Sequence, residues 1–471
     1  MKAKSFVSTL LLAVIVVCSF GIHNANARGN KPYSIKNGMI HFDEPKREAG
    51  QTSMLGFKAE PIDTVRIGII GMGMRGKGPL KRMSFIEGVK IVAICDRHQE
   101  NVDQAQARLA KYKMPKADEY VGEDAWKEMC KRKDIHLIYI VTPWTKHTPM
   151  AVYAMEQGKH VAIEVPAATS VEECWQLVDT SERTRRHCMM LENCVYDHFE
   201  LTTLNMAQQG LFGEIIHVEG GYIHALDKFW NRFDDNWRLK FNQEHAGDVY
   251  ATHGLGPICF VLNIHRGDRM THLVSMDTDS WCGKKLAKAS LGTEEFANGD
   301  HTTTLIRTHK GKTIELQHNV YTPRPYSRQY QLTGTKGFAN KYPVEGILLE
   351  HDKMADSGVV PNHEDLSSHK FLPKKAFDAL MEKYRHPIQK ELLEYAKKVG
   401  GHGGMDFIMD YRLIYCLRNG LPLDQDVYDA AEWSCIGELS AASIKHKSMP
   451  VAFPDFTRGE WNKLKGHTFA K

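Results

Sequence analysis

The chain has 471 residues, of which 42% are hydrophobic and 25% are charged, so it is long enough for two or three globular domains. Its formal net charge of +4 is spread along the sequence and gives no basic patch of the kind that nucleic-acid-binding proteins carry. We therefore predict a multidomain protein with no nucleic-acid partner.

The N-terminus has the pattern of a secretory signal peptide. It combines lysines at its start, an apolar run over residues 10–17 and a small-x-small cleavage site at 25–27. We predict that residues 1–27 are removed and that the mature protein is secreted or periplasmic. A lipoprotein attached through Cys18 is the alternative, disfavoured because Val17 is bulky where a small residue is expected. No other run is long enough to span a membrane.

Nine cysteines follow the signal peptide, and their spacing includes no CxxC pair or metal-finger pattern. The odd number argues against a complete set of disulfides. We expect free thiols that are buried and pack as small hydrophobic side chains. These cysteines are Cys95, Cys130, Cys174, Cys188, Cys194, Cys259, Cys282, Cys416 and Cys435.

Residues 28–61 are polar and show little periodicity, so we predict a linker or strap over the surface. From Val65 onward, apolar strands alternate with helices, which predicts right-handed crossovers and a parallel sheet. We assign residues 62–195 to this N-terminal α/β domain. The predicted strands are 65–70, 90–95, 135–141, 160–163 and 188–191, and the predicted helices are 77 to about 87, 101–112, 148–157 and 171–184.

The pattern changes after about residue 196. A helix runs to residue 209, hairpin-like turns such as 309–312 join extended segments, and the tail from about residue 387 is largely helical. We predict a C-terminal α+β domain over residues 196–471, with an open, mostly antiparallel sheet and helices on one face. Its predicted strands are 215–222, 271–278, 302–308, 313–319 and 330–333.

A glycine-rich loop follows the first predicted strand of the α/β domain and opens its first helix. Residues 71–76 read GMGMRG, which fits the dinucleotide-binding pattern, and Asp96 ends the next strand 20 residues further on. Gly71 allows a tight turn, Gly73 lets the backbone approach a pyrophosphate, and Gly76 packs helix on strand. The helix N-terminus holds phosphate charge, and Asp96 accepts hydrogen bonds from ribose hydroxyls. The pattern predicts a Rossmann domain that binds NAD.

The cofactor assignment has two alternatives. Asp96 would repel a 2′-phosphate, which favours NAD, whereas Arg75 and Arg97 leave NADP open. The second alternative is a Rossmann glycine turn that has lost its ligand. It is disfavoured because the strand, the loop, the helix and the acidic residue are all present in the required order.

The order of the domains resembles the superfamily of glucose–fructose oxidoreductase and inositol dehydrogenase, in which a Rossmann domain precedes an open antiparallel sheet. Many members carry Glu-Lys-Pro after a strand, with a catalytic lysine, whereas this chain has Glu164, Val165 and Pro166. The aspartate that usually stands four residues before the catalytic histidine is also absent, since Val249 precedes His253 by four. Both departures argue against an ordinary sugar dehydrogenase.

A narrower resemblance fits better. From residue 65 to about residue 461, the chain is similar to glycoside hydrolase family 109, the NAD-dependent α-N-acetylgalactosaminidases, in which the Glu-Val pair is usual. Six motifs in the same order carry the resemblance: PWTKH at 143–147, LEN at 191–193, GGY at 220–222, YATHGLGP at 250–257, RPY at 324–326 and GHGGMD at 401–406.

The resemblance implies the contacts to the cofactor and to a small glycan substrate. Beyond the glycine loop, NAD would be held by Met74, Arg75, Asp96, Trp144, Lys146, His147, Glu164, Val165 and Asn193. The sugar would be held by Tyr222, Arg238, Tyr250, Ala251, Thr252, His253 and Tyr326. We expect no metal site, because the chain has 24 histidines but no H-E-x-x-H or comparable ligand spacing.

The resemblance also implies a reaction. NAD oxidises C3 of the sugar, the C2 proton is removed, the aglycone leaves C1 by elimination, water adds, and C3 is reduced again. His253 is the candidate base at C3, because an imidazole titrates near neutrality. Tyr250 and Tyr326 are candidates for the C2 base or for assisting the leaving group, and we expect nearby Arg238 to lower the pKa of the phenol.

Other residues have both a functional and a structural interpretation. His402, between glycines, either reaches the site from the tail or serves a turn. Trp144 and His147 either frame the nicotinamide or end a strand. An aromatic cluster forms a platform for a sugar face or belongs to the core: Trp230, Phe233 and Trp237.

Two other functions stay open. A sugar or cyclitol dehydrogenase would need its NAD recycled, and a secreted protein has no cytosolic pool to draw on. A non-catalytic module would keep NAD as a structural ligand and bind sugar without turnover. We also expect a homo-oligomer formed through the free face of the open sheet. The sequence determines neither the anomer nor the aglycone.

Overall fold

The computed structural model describes residues 32–359 and 367–470. The predicted signal peptide, residues 1–27, lies outside the described residues. The described chain contains two β-sheets, one of six strands and one of ten. None of its described helices is long and apolar enough to cross a bilayer.

The segment predicted as a linker or strap includes two short strands, β1 (Tyr33–Lys36) and β2 (Met39–Phe42). They pair with each other, and β2 joins the larger sheet through the fully buried Ile40. Further along, Arg47 forms an ion pair with Glu182 (2.9 Å) that fastens the segment to the first domain. The strap therefore includes an edge of the larger sheet, which its polar sequence did not reveal.

The six-stranded sheet is parallel throughout, which confirms the predicted Rossmann domain. Its strands are β3 (Val65–Ile70), β4 (Val89–Asp96), β5 (Asp118–Val121), β6 (Leu137–Ile140), β7 (His160–Ile163) and β8 (Cys188–Met190). Their order in the sheet is β5-β4-β3-β6-β7-β8. The helices between the strands are α1 (Lys77–Met83), α2 (Gln99–Lys111), α3 (Ala125–Lys131), α4 (His147–Glu156) and α5 (Val171–Thr184).

Burial explains which of these strands and helices could be predicted from the sequence. Every residue of β6 and β7 is buried, because helices cover both faces of a parallel sheet, and apart from His160 at the start of β7 both strands are continuous apolar runs. The edge strand β5 is largely exposed and has no such run. Helix α5 begins where the Ser170 hydroxyl accepts a hydrogen bond from the Glu173 N–H (3.1 Å).

The ten-stranded sheet is mostly antiparallel, as predicted, with parallel pairing only between β9 and β12 and between β2 and β16. Its remaining strands are β9 (Ile215–Ile223), β10 (Met270–Asp277), β11 (Thr302–Thr308), β12 (Thr313–Asn319), β13 (Tyr330–Gly334), β14 (Gly337–Asn340), β15 (Gly346–Leu349) and β16 (Val451–Ala452). The order is β1-β2-β16-β10-β11-β12-β9-β13-β14-β15.

Helices of the second half include the predicted helical tail. They are α6 (His198–Gln208), α7 (Trp237–Glu244), α8 (Thr252–Leu262), α9 (Cys282–Leu291), α10 (His351–Ser357), α11 (Lys374–Lys383), α12 (Pro387–Val399), α13 (Met405–Asn419), α14 (Val427–Ser434) and α15 (Ile436–Lys445). The tail returns to the first domain, where α13 packs on α1 and α14 on α5.

Helix α8 crosses β9 at very short range. A β-carbon on Gly254 would collide with the backbone nitrogen of Gly221, and one on Gly220 would collide with the carbonyl oxygen of Gly254. Only glycine permits this approach. The contact brings the first turn of α8, which carries His253, against Tyr222 near the end of β9.

The cysteine prediction is confirmed. All nine cysteines that follow the signal peptide are free in the structure, and only Cys282 is partly exposed. Burial raises the pKa of most of these thiols, for example that of Cys95 to about 12, so they are uncharged at neutral pH.

We predict that Gly254→Ala destabilises the protein by about 1–3 kcal/mol, because the added methyl group overlaps backbone that cannot move aside. Gly437→Ala in α15 is the matched control. A β-carbon there meets nothing closer than 3.7 Å, and alanine favours the helix by about 0.5–1 kcal/mol. Urea unfolding followed by circular dichroism measures both changes. Equal stability of Gly254→Ala and the parent protein would contradict the close approach of α8 to β9.

Candidate active site

A cleft of about 920 Å³ lies at the carboxyl ends of the parallel strands, where ligands bind in this class of fold. The predicted cofactor residues that line it are Gly71, Gly73, Met74, Arg75, Asp96, Trp144, Lys146, His147, Glu164 and Val165. The predicted substrate residues that line it are Tyr222, Arg238 and Tyr250. The cleft therefore brings most of the two predicted sets together.

Three glycines shape the loop between β3 and α1. Gly71 has φ +95°, and a β-carbon there would collide with the carbonyl oxygen of Val141. A β-carbon on Gly76 would collide with the carbonyl oxygen of Gly71, so the loop folds tightly upon itself. Gly73 differs, because a β-carbon there would point into open space at the edge of the cleft. The open space in front of the Gly73 backbone fits a dinucleotide pyrophosphate.

Asp96 fastens the glycine loop to the end of β4. Its Oδ2 accepts the Met72 N–H (2.7 Å), and its Oδ1 accepts the His98 N–H (2.9 Å). The residue also lines the cleft, so its remaining lone pairs can meet ribose hydroxyls. Arg97 was one of the residues that left NADP possible as the cofactor. Its guanidinium forms an ion pair with Asp234 from the second domain (2.6 Å), so its positive charge already has a carboxylate partner.

An ion-pair chain joins the glycine loop to the tail. Arg75 donates from Nε to Glu164 (2.7 Å) and from Nη1 to Asp406 (3.1 Å). Asp406 also accepts from Asn193 Nδ2 and from His402 Nδ1 (3.0 Å). Burial opposes ionisation of Asp406, but Arg75 and His402 hold its pKa well below the usual range. His402 therefore faces the site from the tail, with its side chain 42% exposed.

Aromatic rings form one wall of the cleft around Trp144. Its ring stacks on Tyr250, with centroids 5.3 Å apart, and meets Trp237 edge-on at 5.2 Å. The Arg238 guanidinium lies 4.9 Å from the Trp144 ring and 4.5 Å from the Tyr250 ring. Trp144 thus frames the cleft. It does not end the strand, because β6 ends at Ile140 and Trp144 begins a short 3-10 helix (Trp144–Lys146).

The predicted aromatic platform divides between the cleft and the core. Phe233 and Trp237 line the cleft. Trp230 is buried and stacks on Tyr321, with centroids 5.8 Å apart.

His147 lines the cleft too, but its Nδ1 and Nε2 lie 2.7 and 2.8 Å from two backbone carbonyl oxygens. Its side chain therefore fixes the loop geometry.

His253 forms a buried pair with Glu192. Its Nδ1 donates to the Glu192 carboxylate at 2.8 Å, so Nε2 is the ring nitrogen left for a substrate. Burial lowers the pKa of His253, and the Glu192 charge opposes that shift. The His253 ring lies 5.4 Å from that of Tyr222 and 5.1 Å from that of Tyr250. Both tyrosines line the cleft, so His253 stands directly behind its wall.

The pKa values of the candidate tyrosines are shifted in the direction opposite to the one expected. Arg238 does act to lower the pKa of Tyr250, but burial outweighs it and raises that pKa. The expected net lowering was therefore wrong. Burial also raises the pKa of Tyr326, which is 43% exposed and meets His224 edge-on at 4.9 Å. The Tyr222 hydroxyl lies 2.9 Å from His224 Nδ1, and burial lowers the pKa of His224 to about 4.

Of the predicted residues not yet placed, Lys146 lines the cleft, whereas Ala251, Thr252 and Asn193 do not. Ala251 and Thr252 precede His253 at the start of α8 and are buried. Asn193 is buried and reaches Asp406, while Lys146 lines the cleft and pairs with the exposed Glu123 (3.3 Å).

Sequence reasoning missed Glu192 and Cys194. Together with His253 they form a buried group whose potential metal-binding atoms lie within 4.8 Å of one another. A search by sequence spacing could not find this group, because its members come from segments 59 residues or more apart. Glu192 does fall within the LEN motif, of which only Asn193 had been given a role.

Comparison with known proteins identifies both halves of the chain. A family profile described as "Glycosyl hydrolase 109, C-terminal domain" matches residues 196–463. A second, described as "Oxidoreductase family, NAD-binding Rossmann fold", matches residues 65–192.

Relatives of high identity span nearly all or all of the chain. "Glycosyl hydrolase family 109 protein 1" of Bacteroides fragilis is 60% identical over 437 residues, covering 92% of this chain and 94% of the relative. "Glycosyl hydrolase family 109 protein" of Porphyromonas gingivalis is 56% identical over 474 residues, covering 100% and 99%.

Solved structures share the fold at low identity. Levoglucosan dehydrogenase in complex with NADH has a TM-score of 0.62 at 16% identity, covering 83% of this chain and 100% of that one. An NAD-binding oxidoreductase from Klebsiella pneumoniae has a TM-score of 0.63 at 16% identity, with the same coverage. These structures show the fold alone. NAD is the cofactor of this chain, because residues 65–192 match the NAD-binding Rossmann family.

We predict that Gly73→Ala weakens NAD binding by about tenfold or more, because its methyl group would occupy the approach to the pyrophosphate. The same change should leave the melting temperature of the NAD-free protein unaltered, since nothing lies within 4 Å of that β-carbon. Isothermal titration calorimetry and thermal unfolding measure the two quantities. Equal NAD affinity in variant and parent would show that the cofactor does not approach this loop.

We predict that Glu192→Gln lowers the pKa of His253 further, because it removes the charge that stabilises the imidazolium. Histidine-selective NMR titration of the folded protein measures this pKa. Glu123→Gln, which changes an exposed carboxylate paired with Lys146, should leave it unaltered. An unchanged or raised pKa in Glu192→Gln would contradict the buried pair.

Proposed function

The chain belongs to glycosyl hydrolase family 109, and from that premise we propose that it hydrolyses terminal α-linked N-acetylgalactosamine by an NAD-dependent cycle of oxidation, elimination, addition and reduction. The observation that carries the proposal is the buried pair of His253 and Glu192 directly behind a cofactor cleft. The position of the usual dehydrogenase lysine is taken by Val165. The sugar and its anomeric configuration rest on the family resemblance.

The residues described above fit the cofactor. The loop at Gly73 would take the pyrophosphate, Asp96 the ribose, and the wall around Trp144 the nicotinamide. When bound, NAD supplies the oxidation of the sugar at C3 and the reduction that closes the cycle. Every other step needs proton transfers, which the side chains of the cleft provide.

His253 is the base for the C3 hydroxyl. Its Nδ1–H is committed to Glu192, so the neutral ring presents an unprotonated Nε2. Its lowered pKa keeps the ring neutral at pH 7, and Glu192 stabilises the imidazolium once the proton arrives. Buried histidine–carboxylate pairs act in this way in other enzymes.

Two further pairs serve C2 and C1. The Tyr222 hydroxyl contacts His224 Nδ1, and the low pKa of His224 leaves that nitrogen free to accept a proton, so this pair is our candidate for the C2 base. His402 belongs to the tail, is held by Asp406 and has a side chain that is 42% exposed. We assign it to proton transfer at C1, where the leaving group departs and water adds. With raised pKa values, Tyr250 and Tyr326 suit hydrogen-bond donation.

We also propose that the protein acts outside the cytosol, on the strength of the signal-peptide pattern at residues 1–27. A cycle that reoxidises its own cofactor suits that location, because no cytosolic pool is needed. Self-association through the free face of the ten-stranded sheet stays a prediction.

We predict that p-nitrophenol is released from its α-N-acetylgalactosaminide without net accumulation of NADH, which is followed by NADH fluorescence. A panel of aryl glycosides that differ in sugar and anomer measures the specificity. Removal of NAD should abolish release, and adding NAD should restore it. EDTA should have no effect, because no step requires a metal. Stoichiometric NADH with an intact glycoside would instead identify a dehydrogenase, and sugar binding without any turnover would identify a binding module.

We predict that kcat/KM falls at low pH, with a midpoint below pH 6.5. The base is active only when neutral, and burial lowers the pKa of His253 below its ordinary value, so activity persists at pH 6.5 and is lost at lower pH. A pH–rate profile with the NAD-loaded protein measures the midpoint. A midpoint above pH 7 would show that His253 is not the titrating base.

A further inference from the structure

Arg328 is a buried arginine that lies beside the proposed reaction centre. It follows the bridge between Ser327 and Ile223 and is only 6% exposed. Its Nη1 donates to Cys194 Sγ (3.1 Å), and that sulfur lies 3.5 Å from His253 Nδ1. The guanidinium is 5.9 Å from the Tyr326 ring.

The atoms that bond directly to Arg328 carry no negative charge. Within residues 32–359 and 367–470, its side chain bonds only to sulfur atoms, Cys194 Sγ and Met405 Sδ (3.7 Å), and forms no ion pair. Its Nε is buried without an acceptor. Other buried arginines of the chain face a carboxylate: Arg82 faces Asp410, Arg266 faces Asp429, and Arg412 faces Asp424.

The charge of the buried Glu192 carboxylate acts on Arg328 from a distance, but the two side chains form no ion pair or hydrogen bond among the described residues. A buried cation that lacks a direct counter-ion is stabilised further when an anion arrives. Nε and Nη2 form one edge of the guanidinium, and neither has an acceptor among the described residues, so two parallel N–H groups are free. Arg238, the other unpaired arginine of the site, differs because aromatic rings surround it. A neutral sugar offers Arg328 an anion only while it reacts.

We propose that the Nε–Nη2 edge of Arg328 binds the C3 oxygen of the sugar and stabilises the enolate formed when C2 loses its proton. This inference rests on the proposed function. With C3 at the oxidation level of a ketone, the C2–H bond breaks and its proton passes to the C2 base. The electron pair moves onto the C3 oxygen, which becomes the oxyanion. Collapse of the enolate expels the aglycone from C1, and the departing oxygen takes up a proton.

The position of Arg328 agrees with this role. Through Cys194 it stands next to His253, the base that serves the same C3 oxygen, and it borders Tyr326. Its fixed charge lies beside the group of Glu192, Cys194 and His253, where an enzyme that uses a metal would place a cation. Arg328 would supply that charge without an ion.

The test compares Arg328→Met with Arg324→Met, which changes an exposed arginine of the same loop. The NAD-loaded proteins receive a p-nitrophenyl glycoside deuterated at C2, and three rates are measured. These are the loss of the C2 label, the release of p-nitrophenol and the single-turnover formation of NADH, followed by its fluorescence. For Arg328→Met we expect the first two rates to fall about 100- to 1,000-fold while NADH formation persists. Arg324→Met should match the parent.

Arg328→Lys keeps a charge and should recover at least about tenfold over Arg328→Met. If Arg328→Met fails to fold, Arg328→Lys carries the test, with a smaller loss in the same two rates. Label loss at the parental rate in Arg328→Met would overturn the inference, as would a change confined to KM or an equal loss in all three rates. Absence of label loss in the parent protein would instead overturn the proposed function.

Discussion

A single buried carboxylate, Asp406, joins the cofactor loop to the C-terminal tail. It accepts from Arg75 of the glycine loop, from Asn193 after the last parallel strand and from His402 of the GHGG turn. These three segments share no local structure, and the charge of Asp406 holds them together. Breaking a buried network of this kind leaves uncompensated charges. The placement of His402 beside the cofactor cleft therefore depends on this one side chain.

The second constraint is the absence of side chains where α8 crosses β9. Because Gly220 and Gly254 have no β-carbon, the first turn of α8 lies directly on the strand. That contact sets His253 beside Tyr222 and leaves its Nδ1 within reach of Glu192. The GGY and YATHGLGP motifs are thus two sides of one packing contact, and the chemistry at C3 and C2 follows from it.

The fold could be predicted well from the sequence where burial gives a strand or helix a regular pattern of apolar residues. Strands β3, β7, β11 and β12 and helix α5 lie at the predicted bounds. The exposed strand β5 and the short strands β1 and β2 escaped prediction, because they have no buried face or pair with residues distant in the chain. Motifs indicated the residues of the cleft but not their pairing. Glu192 meets His253 across 61 residues, and Arg328 has no signal beyond its place after the RPY motif.

The central claim is that the glycosidic bond breaks by elimination from a transiently oxidised sugar. Hydrolysis in deuterium oxide tests it most directly, with the released sugar analysed by NMR and mass spectrometry. The account predicts one solvent deuterium at C2 and none at C3, because the C2 proton is lost to a base while the hydrogen at C3 returns to its carbon. A released sugar with protium at both positions, or hydrolysis by protein freed of NAD, would contradict it.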